Sequence, residues 1–133
     1  MHEDPIIFVC EHGAAKSILA AAHFNRMAEE QGLEIRAIAR GTNPDLEISE
    51  PTLQGLSKDG LAATEPAPTK LSLEDTRRAQ FLVSFCELPE EYTQGVIVEQ
   101  WDEIPSVSEN YDQARDAIVE RLKQLVSRIR RSE

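Results

Sequence analysis

The sequence has little of what would mark a membrane, secreted or nucleic-acid-binding protein. No apolar run approaches the roughly 18 residues that a membrane-spanning helix needs. There are two cysteines, Cys10 and Cys86, too few for a disulfide framework. Basic residues are scarce: 14 Lys and Arg stand against 24 Asp and Glu, a net charge of −10. That balance argues against a nucleic-acid partner, because gripping a phosphate backbone takes clustered cations. The basic run Arg128, Arg130 and Arg131 sits where it would complement a helix C-terminus. The acidic start, His2, Glu3 and Asp4, runs straight into an apolar stretch and does not resemble a secretory leader, so the cytoplasm is the expected location. No repeat, low-complexity segment or linker interrupts the chain. The expectation is one domain, residues 1–133, long enough to bury a core without cross-links.

What is there is an alternation of short apolar runs and helical patterns. Ile6 to Val9 reads as a buried strand that ends on Cys10. A small-residue loop, Glu11 to Lys16, follows, and Ser17 reads as the N-cap of an alanine-rich helix to about Gln31, with Gly32 as its stop. Ala20, Phe24, Met27 and Ala28 give that helix one apolar face. Glu34 to Ala39 reads as a second strand, broken by Gly41-Thr42-Asn43-Pro44. A short helix is expected over Glu50 to Lys58, and Ser72-Leu73-Glu74-Asp75 forms a capping-box start for another, to about Ala79. Phe81 to Cys86 and Gly95 to Trp101 read as the third and fourth strands. A final helix from about Glu109 to Arg130 carries an apolar stripe of Tyr111, Ala114, Ile118, Leu122, Leu125 and Ile129.

Strands separated by helices imply right-handed crossovers and a parallel sheet. The expected fold is α/β: a small doubly wound domain with a four-stranded parallel sheet and helices on both faces. Ligands of such folds bind beyond the carboxyl ends of the strands. The loops there are Glu11–Lys16, Gly41–Pro44, Glu87–Tyr92 and Asp102–Ser108.

A cysteine at the mouth of a strand–loop–helix turn faces loop N–H groups and the positive end of the helix dipole. That setting favours a thiolate and attracts an anion. Gly13 accepts positive φ, and Ala14 and Ala15 leave the loop's centre empty, so successive N–H groups can cradle an oxyanion. Lys16 can neutralise a bound dianion and Ser17 can donate to the Cys10 thiolate. Glu11, His12, Gly13, Ala14 and Ala15 are thus the candidate binding loop, and phosphate or a phosphorylated small molecule or protein the expected ligand. No cofactor or metal is expected, since Cys10-x-His12 fits no zinc spacing even with His23 or Cys86 added. The Gly13–Ser17 segment shares Lys-Ser with a nucleotide-binding Walker A loop, but Cys10 and Ala15 stand where its glycines belong.

The pattern Cys10-x5-Lys16-Ser17 resembles the Cys-x5-Arg-Ser/Thr loop of the low-molecular-weight protein tyrosine phosphatase superfamily. It is most similar to the thioredoxin-coupled arsenate reductase branch, whose loop typically reads Cys-x-His-Asn-Ala-Gly-Arg-Ser; Cys10, His12, Ala14 and Ser17 are kept. Ala39-Arg40-Gly41-Thr42 resembles that family's Ser-Ala-Gly-Thr, and the Cys86 strand end and the Trp101 strand also look similar. The resemblance implies a cysteine-dependent phosphatase working on phosphotyrosine or another phosphomonoester through a phosphocysteine.

The departures fall on functional positions. Lys16 replaces an Arg whose two parallel donors grip an oxyanion better than a point charge does. Gly13 replaces a loop Asn. The family's Asp-Pro pair after the last strand, its general acid, is absent from Trp101–Ser106, which leaves Asp102 as first substitute and Glu103 as second. The reductase branch also uses two further cysteines; Cys86 matches one, and Glu87–Gln94 holds none, so a three-cysteine relay is excluded. Three readings therefore stand: a phosphatase with an atypical Lys, an oxyanion-binding module with little or no turnover, and an arsenate reductase-like redox enzyme using Cys10 and Cys86.

Overall fold

The computed structural model describes residues 4–132, so His2 and Glu3 of the acidic start lie outside the described residues. Strand β1 (Ile6–Cys10) is the centre of the molecule: Ile6, Ile7, Phe8 and Val9 are each 0 % exposed. The strand pairs on one side with β2 (Ala37–Gly41) and on the other with β3 (Phe81–Ser84), and β3 pairs with β4 (Val98–Gln100). All pairings are parallel, in the order β2-β1-β3-β4. An interior parallel strand is covered on both faces, which is why its sequence is an unbroken apolar run rather than an alternating one.

The helices α1 (Lys16–Glu30), α2 (Glu50–Lys58), α3 (Leu73–Arg78) and α4 (Tyr111–Ser132) complete the chain, with a short 3-10 turn at Glu90–Tyr92. Ile6 and Phe8 face the larger core with residues of α1, α2 and α4, where Phe8 meets Phe24, Phe85 and Trp101 at ring separations of 6.2, 6.4 and 5.9 Å. Ile7 and Val9 face a smaller core with Leu71, Leu82 and Tyr92. Both faces are thus covered. The expected α/β fold is what forms, and among the described residues no helix is long and apolar enough to cross a membrane.

Several boundaries differ from the sequence reading, and β3 ends at Ser84, two residues short of the expected Cys86. Ser17 is not the cap of α1: Ala15 holds that position without a side-chain bond, and Ser17 lies fully buried in the first turn. The loop closes a residue earlier than composition suggests, and the Ser17 hydroxyl turns back to Cys10. β2 begins at Ala37, opposite the first residue of β1, so Leu33 and Ile35 are buried without joining the sheet. β4 reduces to three residues because only Leu82 to Ser84 are there to pair with it. α4 starts at Tyr111, where the Asn110 side chain accepts from the Gln113 N–H at 3.0 Å. The capping box of α3 does form, with Asp75 N–H donating to Ser72 Oγ and Ser72 N–H to Asp75 Oδ2.

Asp59, at the end of α2, ties three helices together. It accepts from Tyr111 Oη at 2.8 Å and Arg115 at 2.9 Å, both on α4, and lies 3.4 Å from Nε2 of the buried His23 on α1. Burial alone would raise the Asp59 pKa, but the Tyr111 and Arg115 bonds outweigh it and hold the carboxyl below its ordinary range. Burial pushes His23 below the ordinary imidazole value of 6.5, against the pull of Asp59. The folded chain thus resists protonating His23 while the unfolded chain does not, so stability is lost as pH falls through that value. Denaturant titrations at about pH 7.5 and about pH 5.5 should show this loss in the wild type. A His23→Gln variant should show a flatter dependence over the same window; an unchanged slope would assign the loss to other groups.

Candidate functional site

The loop from Glu11 to Ala15 is shaped by hydrogen bonds from outside it. The segment after β2 runs alongside, and its N–H groups take up the loop's carbonyls. Thr42 donates to Cys10 at 3.3 Å, Asn43 to Glu11 at 2.7 Å, Asp45 to His12 at 3.0 Å and Ser49 to Ala14 at 3.0 Å. With these carbonyls turned outward, the loop's own N–H groups are left to the inside. Among the described residues, none of the N–H groups of residues 11–16 donates to another group. A row of unpaired, convergent N–H groups at the start of a helix is an anion cradle.

Two glycines permit this zipper. Gly13 sits at φ +61°, and a Cβ on it would stand 3.1 Å from the Gly41 backbone. A Cβ on Gly41 would stand 2.7 Å from the Gly13 nitrogen. The loop and the end of β2 therefore meet backbone to backbone, with no room for a side chain on either.

The cleft above the cradle has a volume of about 360 Å³ and opens at the carboxyl ends of all four strands. Cys10, Glu11, His12, Ala14, Ala15 and Lys16 line it from the first loop, and Asp45 and Ser49 from the second. Phe85 and Cys86 enter from the end of β3, and Ser106, Val107 and Ser108 from the segment after β4. Cys10 is buried, and its Sγ lies 3.0 Å from the Ser17 hydroxyl, which can donate to a thiolate. Lys16 is the one Lys or Arg lining the cleft, and it makes no ion pair among the described residues. Cys86 is a free thiol in the same cleft. Burial pushes its pKa up, and the neighbouring Cys10 and Glu11 add to the rise, so it is held as S–H at neutral pH.

Of the residues singled out in the sequence, Cys10, Glu11, His12, Ala14, Ala15 and Lys16 meet in the cleft. Ser17 stands behind Cys10, and Gly13 contributes backbone rather than lining. Asp102 is not brought in. Buried Trp101 plugs the core, its Nε1 donates to Glu99 at 2.9 Å, and the chain turns outward after it, leaving Asp102 exposed. Glu103 is spent on an ion pair with Arg121 of α4. Asp45 was missed: nothing local marks it, and its place follows from the loop pairing. Chemically, the arrangement sets a thiol beside a row of unpaired N–H groups, with Lys16 as the one Lys or Arg lining the cleft. Among the described residues no group of three or more His, Cys, Asp or Glu is arranged to hold a metal ion.

Residues 5–133 match the profile of the family described as low molecular weight phosphotyrosine protein phosphatase. The fold is shared with YfkJ from Bacillus subtilis, at 16% identity over 100% of this chain and 98% of that one, with a TM-score of 0.87. It is shared with a low molecular weight protein tyrosine phosphatase from Bacillus subtilis, at 20% identity, 96% and 97% coverage and a TM-score of 0.78. An arsenate reductase from Archaeoglobus fulgidus is 26% identical over 92% of this chain and 98% of its own, with a TM-score of 0.71. No curated protein sequence matches the chain.

The glycine contact is testable apart from any reaction. Gly41→Ala drives a methyl into the Gly13 backbone, which has no flexible end to yield, and should cost about 1–3 kcal/mol of stability. It should also spread the cradle, so that inorganic phosphate no longer protects Cys10 from iodoacetamide. Unchanged protection in the variant would mean that the cradle does not depend on this contact.

Proposed function

The chain belongs to the low molecular weight phosphotyrosine protein phosphatase family, and from that premise we propose that it is a cysteine-dependent phosphatase acting through a phosphocysteine. The observation that carries the reading is the placement of the Cys10 thiol, 3.0 Å from a buried hydroxyl and at the rim of a loop with unpaired N–H groups. The phosphoryl group of a phosphorylated small molecule or protein sits in the cradle, its charge met by the N–H groups of residues 11–16 and by Lys16. Cys10 attacks phosphorus, the bond to the leaving oxygen breaks, and water then hydrolyses the phosphocysteine, returning the thiolate. Ser17 stabilises the thiolate by donating to it. Glu11 and Asp45 at the mouth disfavour substrates with acidic flanks. A reducing cytoplasm, which keeps both thiols free, suits this chemistry.

Lys16 supplies charge without the fork of an Arg. The charge-assisted bond it forgoes is worth roughly 1.5–3 kcal/mol, or about tenfold to a hundredfold in rate.

A second reading is favoured by Cys86, which lines the same cleft. Cys10 and Cys86 could serve an arsenate reductase-like cycle in which a disulfide forms as the oxyanion is reduced. The burial that keeps Cys86 protonated slows it as an attacking thiol, and the phosphatase reading stands first.

Hydrolysis of p-nitrophenyl phosphate separates the readings. Turnover should be lost in Cys10→Ser, kept in Cys86→Ser, and raised about tenfold to a hundredfold in kcat/KM by Lys16→Arg. Phosphate binding with no Cys10-dependent turnover, even in Lys16→Arg, would make the protein an oxyanion-binding module instead.

A further inference from the structure

Hydrolysis through Cys10 needs a proton for the leaving oxygen, and the segment after β4 brings no acid to the cleft. It contributes Ser106, Val107 and Ser108, while Asp102 stays outside and Glu103 is held by Arg121. Serine hydroxyls are poor proton donors. Lys16 belongs to the oxyanion, and the Cys86 thiol is made a weaker acid by its burial. The titratable side chains that remain on the cleft wall are Glu11, His12 and Asp45.

These three form a cluster. His12 Nδ1 lies 3.2 Å from Asp45 Oδ1, and His12 Nε2 lies 4.0 Å from Glu11 Oε1. Main chain reinforces the pair, because Asp45 N–H donates to the His12 carbonyl at 3.0 Å. Both side chains are 55% exposed, so the ring is held at the mouth yet open to a bound leaving group. A carboxylate at one ring nitrogen fixes the imidazole and leaves the other nitrogen to exchange protons.

We propose that His12 is the general acid of this site and that Asp45 is its positioning residue. The inference rests on the phosphatase reading above. As Cys10 attacks phosphorus and the bond to the leaving oxygen breaks, that oxygen takes the proton from His12 Nε2. The ring, now neutral, then takes a proton from the water that attacks the phosphocysteine. The P–S bond breaks, inorganic phosphate leaves, and the thiolate and the protonated ring are restored.

The test compares a poor leaving group with a good one: phenyl phosphate, whose phenolate needs a proton, and 2,4-dinitrophenyl phosphate, whose leaving group departs as an anion. Because kcat/KM reports the first chemical step, His12→Asn should lower it on phenyl phosphate by about a hundredfold or more. On the dinitrophenyl ester it should change little, and the alkaline limb of the phenyl phosphate pH profile should disappear. Asp45→Asn should show the same leaving-group dependence with a smaller loss. An equal loss on both substrates would make the pair merely structural and overturn the assignment, as would a leaving-group-dependent loss that follows Glu11→Gln rather than His12→Asn. If the wild type shows no Cys10-dependent turnover even of the dinitrophenyl ester, the phosphatase reading itself fails and takes this one with it.

Discussion

The backbone contact between Gly13 and Gly41 is the constraint on which the rest of the site depends. It lets the segment after β2 lie flat against the loop after β1 and take the carbonyls of Cys10, Glu11, His12 and Ala14. A peptide unit whose carbonyl is turned outward has its N–H turned inward, so one set of hydrogen bonds creates the unmet donors of the other. The cradle is thus made by β2 as much as by β1. The position of β1 at the sheet's interior fixes the loop's base, since a strand with all four of its leading residues at 0% exposure has nowhere to shift. The outer edge of β2 is closed too: Gly41 N–H donates to Thr69 and its carbonyl accepts from Leu71.

In a chain of net charge −10, an anion site cannot rely on a broad positive field. Such a site would draw on local positive potential, from oriented N–H groups and the start of α1, with Lys16 as the one Lys or Arg lining the cleft. The surrounding carboxylates, Glu11 and Asp45, sit at the mouth rather than in the cradle, beside His12. The three ring contacts of Phe8 with Phe24, Phe85 and Trp101 set the opposite wall, because Phe85 and the chain beyond Trp101 lead into the segments that close the cleft.

The order of elements and the core were legible because they are written in local periodicity: the apolar β1 run, the stripe of α4, the capping box at Ser72. The loop residues singled out by composition, Cys10, Glu11, His12, Ala14, Ala15 and Lys16, do meet in one cleft. What local reading misplaced were side chains whose role is set at long range. Ser17 looks like a helix cap by residue type and is not one, whereas its bond to the thiol seven residues earlier, expected from the loop pattern, is present at 3.0 Å. Asp102 follows a strand as a general acid would, but it is exposed and does not line the cleft, which the chain reaches only at Ser106. Asp45 carries no sequence signal, because only the pairing of two loops brings it to His12.

The central claim is that Cys10 becomes phosphorylated during turnover. The most direct measurement is the intact mass of protein quenched in acid during reaction with a phosphomonoester, followed by peptide mapping. The account predicts a single added phosphoryl group on the peptide bearing Cys10, absent in Cys10→Ala and depleted when substrate is exhausted. Turnover of the phosphomonoester with no such adduct, or an adduct on another residue, would contradict it.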